Sequence, residues 1–167
     1  MKQLLGIEDL SKAEIESLIE EAIKLKADRG ISGDRPLAGE TWAMIFTKSS
    51  TRTRVSFEVG LNELGARPMF LNANDVQLGR GEPIRDTARV LGRMTHGAII
   101  RTFAQSDVVE FAEYGEIPTI NALTDEEHPC QIIADLQTIR EKLGSWDGKK
   151  IVFFGDGDCN MGRSWAW

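Results

Sequence analysis

Cysteine is scarce. Cys130 and Cys159 are the two in 167 residues, too few for a disulfide framework in a chain of this size. The opening stretch, Met1-Lys2-Gln3-Leu4-Leu5, carries one basic residue and then turns acidic at Glu8 and Asp9. That pattern predicts no secretory signal, a cytoplasmic setting and two free thiols. No run approaches the roughly 18 apolar residues of a membrane span. Histidine is equally sparse: His96 and His128 stand alone, without an HxxxH or CxxC grouping, so no metal site is expected. Basic charge is in deficit as well, with 20 Lys+Arg against 26 Asp+Glu and a formal charge of -6. A net negative surface repels phosphate backbones and argues against nucleic acid as a partner, although a local basic cluster can still grip one small anion.

What is present is ordinary globular material. Hydrophobic residues make up 41% and charged residues 28%, which excludes a disordered or fibrous chain. The length predicts one domain, or one domain and a piece of another. Ser11-Lys12-Ala13-Glu14 is a capping box flanked by Leu10 and Ile15 as a hydrophobic staple, and an apolar stripe predicts a helix to about Lys26. Trp42 to Phe46 reads as a buried strand. Ser49-Ser50-Thr51 offers hydroxyl caps to a helix through Leu64 that Gly65 stops. Strands are then expected at Pro68 to Leu71, Ala98 to Arg101, Pro118 to Asn121 and Ile151 to Phe154. Between them come helices at Ile84 to Met94, Val108 to Tyr114 and Pro129 to Leu143, the last opened by Pro129. Such alternation predicts an α/β fold, a parallel sheet with helices on both faces. Ligands of such sheets bind beyond the carboxyl ends of strands. Ser164 to Trp167 reads as the opening of one more helix. A strand and a helical stub bury little surface by themselves, so the chain is expected to be a piece of a longer protein.

The chemistry-bearing residues do follow strands. Ser49-Ser50-Thr51-Arg52-Thr53-Arg54 opens a helix, where free N–H groups and the helix dipole hold anions. Hydroxyls at Ser50, Thr51 and Thr53 add donors, and Arg52 adds a fork suited to phosphate. These residues exceed what capping requires, and phosphate binding is the better reading. His128, in His128-Pro129-Cys130-Gln131, sits at a helix start that disfavours its charged form, leaving a neutral imidazole as donor. Gln131 lies near the same start. Cys130 reads as a buried structural thiol. Arg101 ends a strand, awaiting either a ligand or a salt bridge to Asp107 or Glu110. Gln77-Leu78-Gly79-Arg80-Gly81-Glu82 is either a lid, an intersubunit arm or a solvated turn. Gly155-Asp156-Gly157-Asp158-Cys159-Asn160-Met161-Gly162 misses the dinucleotide spacing at its third glycine, so no nucleotide cofactor, and no cofactor of any kind, is expected.

Ser50-Thr51-Arg52-Thr53-Arg54, followed by Ser56-Phe57-Glu58, resembles the carbamoyl-phosphate motif of the aspartate/ornithine carbamoyltransferase family. His128-Pro129-Cys130-Gln131 resembles the family's second motif, its cysteine matching the ornithine branch where the aspartate branch usually has threonine. Phe46-Thr47-Lys48-Ser49 and Gln77 to Pro83 resemble the same branch. The resemblance implies that Ser50, Thr51, Arg52 and Thr53 hold the phosphate of carbamoyl phosphate. It implies that Thr53, Arg101 and His128 polarise the carbamoyl oxygen and that Gln131 binds the carbamoyl nitrogen. Gln77 matches a loop residue that reaches a neighbouring subunit's site, which implies a trimer. The implied reaction is attack by the δ-amine of L-ornithine, giving L-citrulline and phosphate, in arginine biosynthesis.

Asn160 matches an asparagine with which the family binds ornithine, but Cys159 replaces the asparagine usual before it. The family's Ser-Met-Gly loop and His-Cys-Leu-Pro segment have no counterpart. The resemblance therefore implies a carbamoyl-phosphate domain at 1–148 and the start of an ornithine domain at 149–167, catalytically inactive alone. The alternatives are a non-catalytic carbamoyl-phosphate-binding or trimer-forming module, or a transferase acting on putrescine or aspartate. Cys130 and Lys48 disfavour the last two acceptors.

Overall fold

A computed structural model describes residues 3–30, 33–72 and 81–167. The chain opens with a two-residue strand, β1 (Gln3–Leu4), and the helix α1 (Lys12–Ala27). The capping box at α1 is formed: the Ser11 hydroxyl accepts from the Glu14 N–H at 3.3 Å, and the Ser11 N–H donates to the Glu14 carboxylate at 2.8 Å. Leu10 and Ile15 share one apolar cluster, as a staple requires. There follow β2 (Thr41–Phe46), α2 (Arg52–Glu63), β3 (Arg67–Asn72), α3 (Ile84–Met94) and β4 (Gly97–Arg101). The chain continues through α4 (Gln105–Gly115), β5 (Thr119–Leu123), α5 (Pro129–Leu143) and α6 (Asn160–Ala166).

The strands form one parallel sheet in the order β1-β5-β4-β2-β3. The alternation within β2 explains its continuous apolar run. Trp42, Met44 and Phe46 pack with Leu61 of α2, while Ala43 and Ile45 pack with Ala88 of α3 and with Val108 and Phe111 of α4. Both faces are covered, so neither set of positions can be polar. Fully burying Met44 or Ile45 contributes about 1.5–3 kcal/mol each. Helices α3 and α4 pack with unusually close backbones. A Cβ on Gly92 would stand 2.1 Å from the Gly115 carbonyl oxygen, so only glycine fits there.

One sequence expectation needs correction. Ile151 to Phe154 form no strand and lie exposed, Phe154 fully so. An apolar run becomes a strand only where a neighbour takes its backbone hydrogen bonds, and among the described residues none lies beside it. The fifth strand is instead β1, whose Gln3 and Leu4 pair with Thr119 and Ile120. Gln77 lies outside the described residues.

The strand order places the functional residues. From β2 the chain steps outward to β3, then returns to the other side of β2 to lay down β4 and β5. The reversal falls between β2 and β4, where the two connections diverge and leave a crevice at the carboxyl ends. Into that crevice run the segments after β2, β4 and β5.

Candidate functional site

The crevice is an open cleft of about 780 Å³. Among the residues lining it are Ser50, Arg52 and Thr53 from the start of α2, Arg101 from the end of β4, His128 and Gln131 from the start of α5, and Asn160 from the start of α6. Residues far apart in sequence thus meet on one surface. Thr51 does not line the cleft; it is the exposed N-cap residue of α2 and makes no side-chain capping bond. Of the three hydroxyls expected to cap this helix, Ser50 does so, accepting from the Thr53 N–H at 3.3 Å. Arg54 turns away, its guanidinium 3.7 Å from the Phe70 ring centroid and paired with Glu58. Arg52 is exposed on the cleft wall and makes no ion pair among the described residues.

Arg101 makes neither of the salt bridges expected of it. No carboxylate among the described residues pairs with it, and its buried Nε has no hydrogen-bond partner. Asp107, one expected partner, instead accepts from the Thr102 hydroxyl at 3.3 Å. A register irregularity between Ile100 and Arg101 turns the end of β4 relative to β5, a device that re-aims side chains near sites. Desolvation lowers the guanidinium's pKa, a cost that a bound anion would offset.

His128 is the N-cap residue of α5, held by its backbone N–H donating to the Ser164 hydroxyl at 2.9 Å. Burial, and then the charge of Arg101, depress its imidazole pKa to about 4. The ring is therefore neutral near pH 7 and can donate one N–H. Sequence reasoning reached the neutral ring through the helix start alone; burial is the larger cause. Nδ1 of His128 is buried without a partner.

Gln131 lines the cleft but donates to Asp135 at 2.9 Å. Asp135 was missed in the sequence, although its i,i+4 spacing from Gln131 puts both on one helical face. Cys130 is no nucleophile: its thiol donates to the Asn121 carbonyl at 3.3 Å, and burial pushes it up to about 12. Asn160 is tied to the Thr124 carbonyl at 2.8 Å. Cys159 is the N-cap residue of α6, its sulfur accepting from the Gly162 N–H at 3.4 Å. Lys48 pairs with Asp125 and lies 5.0 Å from the Phe103 ring centroid. Among the described residues no cluster of three or more His, Cys, Asp or Glu could hold a metal, and no helix is long and apolar enough to cross a membrane.

A larger groove of about 990 Å³ runs between α1 and α2, past Leu25, Val55 and Val59. It contains none of the expected site residues. The smaller cleft is the one that gathers the expected site residues and holds the unpartnered Arg101 and His128 nitrogens.

Fold and cleft together define an α/β domain with an open, cation-lined cleft at a strand switch point. Residues 2–141 match the family described as "Aspartate/ornithine carbamoyltransferase, carbamoyl-P binding domain". The chain is 65% identical to an ornithine carbamoyltransferase of Akkermansia muciniphila over 100% of its own length and 55% of that protein's. It is 54% identical to one of Methanocorpusculum labreanum, over 95% of the chain and 53% of the relative. The solved ornithine carbamoyltransferase of Pyrococcus furiosus superposes with a TM-score of 0.94 at 46% identity, covering 98% of this chain and 52% of that one. The chain belongs to the aspartate/ornithine carbamoyltransferase family. It spans about half the length of the curated relatives it matches.

Proposed function

We propose that this chain is the carbamoyl-phosphate-binding half of an ornithine carbamoyltransferase. The observation that carries the reading is the convergence of Ser50, Arg52 and Thr53 with Arg101 and His128, the last two holding buried nitrogens without partners. The phosphate of carbamoyl phosphate sits at the start of α2, taking backbone N–H groups, the Ser50 and Thr53 hydroxyls and the Arg52 fork, and Thr51 joins them once its hydroxyl turns toward the cleft. Thr53, Arg101 and neutral His128 donate to the carbamoyl oxygen. Gln131 accepts from the carbamoyl nitrogen once its side chain leaves Asp135.

The δ-amine of ornithine, oriented by Asn160, attacks the carbonyl carbon. The carbonyl electron pair moves onto oxygen, where the donors already stand, so little reorganisation is needed as charge develops. The C–O bond to phosphate then breaks as the carbonyl reforms, and the amine's surplus proton leaves with phosphate. The products are citrulline and phosphate. Positioning both reactants in one cleft supplies the remaining rate gain.

Residues 1–148 form the carbamoyl-phosphate domain in this reading, and 149–167 begin the ornithine domain. Gln77 completes a neighbour's site in a homotrimer, and the protein works in the cytoplasm. Calorimetry with carbamoyl phosphate, beside a citrulline assay on the same 167-residue chain, tests the assignment. Binding with negligible turnover is expected, since among the described cleft residues only Asn160 is matched to ornithine. No binding of carbamoyl phosphate refutes the reading, and turnover typical of a complete enzyme refutes the half-site. Light scattering that finds a monodisperse monomer at micromolar concentration refutes the trimer and the shared role of Gln77.

A further inference from the structure

The loop between β5 and α5 is joined to α6 through one carboxylate that the mechanism above does not use. Glu127 is buried, 6% exposed, and does not line the cleft. Each of its oxygens accepts one hydrogen bond: Oε2 from the Ser164 hydroxyl at 2.6 Å, Oε1 from the Trp167 indole N–H at 3.1 Å. The direction of the first bond is forced. The His128 backbone N–H meets the same Ser164 oxygen at 2.9 Å, and an amide N–H can only donate. Ser164 therefore accepts from His128 and passes its own hydrogen to Glu127. An indole N–H can likewise only donate. Both oxygens of Glu127 are acceptors, which suits a carboxylate and not a carboxylic acid.

The other ends of this junction reach the cleft. The Glu127 N–H donates to the Thr124 hydroxyl at 2.9 Å, and the Thr124 carbonyl accepts from the Asn160 side chain at 2.8 Å. Asn160 and His128 line the same cleft, and both are fastened to the short loop that Glu127 closes.

We propose that Glu127 is a positioning residue whose ionised carboxylate fixes α6 on the loop before α5, and so sets where Asn160 stands relative to His128. Protonating it turns one acceptor into a donor and rearranges this junction. That Asn160 there meets ornithine rests on the carbamoyl-transfer reading; the latch itself does not.

The charges around Glu127 favour such a transition. Burial raises its pKa, against the lowering by Ser164 and Trp167, and the carboxylates of Glu8, before α1, and Glu126 push the same way as burial. The cation on α6, Arg163, is engaged with Asp158 at 2.5 Å, and His128 is neutral. The junction therefore changes over at a pH above the ordinary glutamate value.

The test is an NMR titration of the whole, unliganded ¹⁵N-labelled chain from about pH 8 to about pH 5, above the His128 transition. The probes are the Trp167 indole N–H, identified by its loss in Trp167→Phe, and the Asn160 side-chain amide, identified by its loss in Asn160→Ser. Both should move with one shared midpoint, and Glu127→Gln should abolish the movement. Trp167→Phe keeps the carboxylate but removes a bond that favours its charge. Read at Asn160, the midpoint should then shift upward. This second variant decides the matter even where Glu127→Gln does not fold. An Asn160 amide that ignores pH, or a midpoint unmoved by Trp167→Phe, overturns the latch. Carbamoyl phosphate added to the parent separates the two ideas: titration without binding supports the latch and sinks the functional reading, while binding without titration does the reverse.

Discussion

Arg101 and His128 reach one cleft with a buried nitrogen each, Nε and Nδ1, that meets no partner among the described residues, and the guanidinium's charge adds to burial in holding the imidazole neutral. The carbamoyl transfer proposed above needs both properties in one place: a fixed cation and a neutral donor converging on a developing oxyanion, in a site where little water competes.

The depressed histidine makes stability depend on pH in a definite direction. His128 ionises at about 4 when folded against its ordinary 6.5, so between those values the unfolded chain binds the proton and the folded chain does not. Its contribution is complete above the unfolded value and is lost as pH falls toward 4. After discounting for partial exposure, the loss is about 1–2 kcal/mol. Glu127, with its raised pKa, acts oppositely: the stability linked to its protonation is present at low pH and lost as pH rises through the folded value. Urea midpoints measured at intervals from pH 4.5 to 7 should rise with pH in the parent chain. In His128→Asn the rise should vanish and the opposite slope of Glu127 appear. An unchanged rise in His128→Asn contradicts the assignment.

Arg52 offers a direct check on the anion site. It stands exposed at the cleft with no ion pair among the described residues, so truncating it removes a ligand contact without stranding a buried charge. Loss of a charged bidentate partner costs a few kcal/mol, about a hundredfold in affinity. Calorimetry on Arg52→Ala should show carbamoyl phosphate binding weakened by that factor with thermal stability little changed. Affinity within a factor of three of the parent would remove Arg52 from the site.

Two glycine-to-alanine substitutions should move stability in opposite directions. At Gly92 the new methyl would meet the Gly115 carbonyl at 2.1 Å, forcing α3 and α4 apart. Overpacking of this kind costs about 1–3 kcal/mol or more. At Gly60, inside α2, a Cβ meets nothing within 4 Å and φ is not positive, so alanine should gain about 0.4–1 kcal/mol through helix propensity and a less flexible unfolded chain. Urea denaturation of the pair gives the comparison, and a neutral Gly92→Ala would mean the helix contact can slide.

Elements that announce themselves locally were legible in the sequence. The bounds of α3 and α5 were read as they stand, that of α5 from Pro129 at its start. The buried runs of β2 and β4 follow from apolar continuity, and the gathering of the expected site residues from the rule that ligands of such sheets bind beyond the carboxyl ends of strands. What failed was a property of pairs. Two residues of β1 establish no period, so the edge strand was invisible, while Ile151 to Phe154 carry every strand signal without a partner. The Glu127 junction was hidden for the same reason: Glu127, Ser164 and Trp167 look like unrelated surface residues until the fold brings them together.

By the resemblance given above, Cys159 stands where the family usually has asparagine, and its position says what that asparagine would do. Its sulfur caps α6 through a 3.4 Å bond from the Gly162 N–H, a place where asparagine or serine oxygen is the stronger acceptor. The backbone there is already extended, φ -131 and ψ 164, as a capping residue requires. Cys159→Asn should therefore strengthen α6 by about 0.5–1 kcal/mol and raise the melting temperature by about 1–4 °C. Because α6 carries Asn160 and Ser164, the gain should appear locally as slower hydrogen exchange at the Gly162 amide, with α3 and α4 unaffected. Exchange at Gly162 as fast as in the parent would show that the sulfur caps as well as oxygen does, and that the substitution at this position reflects something other than the helix start.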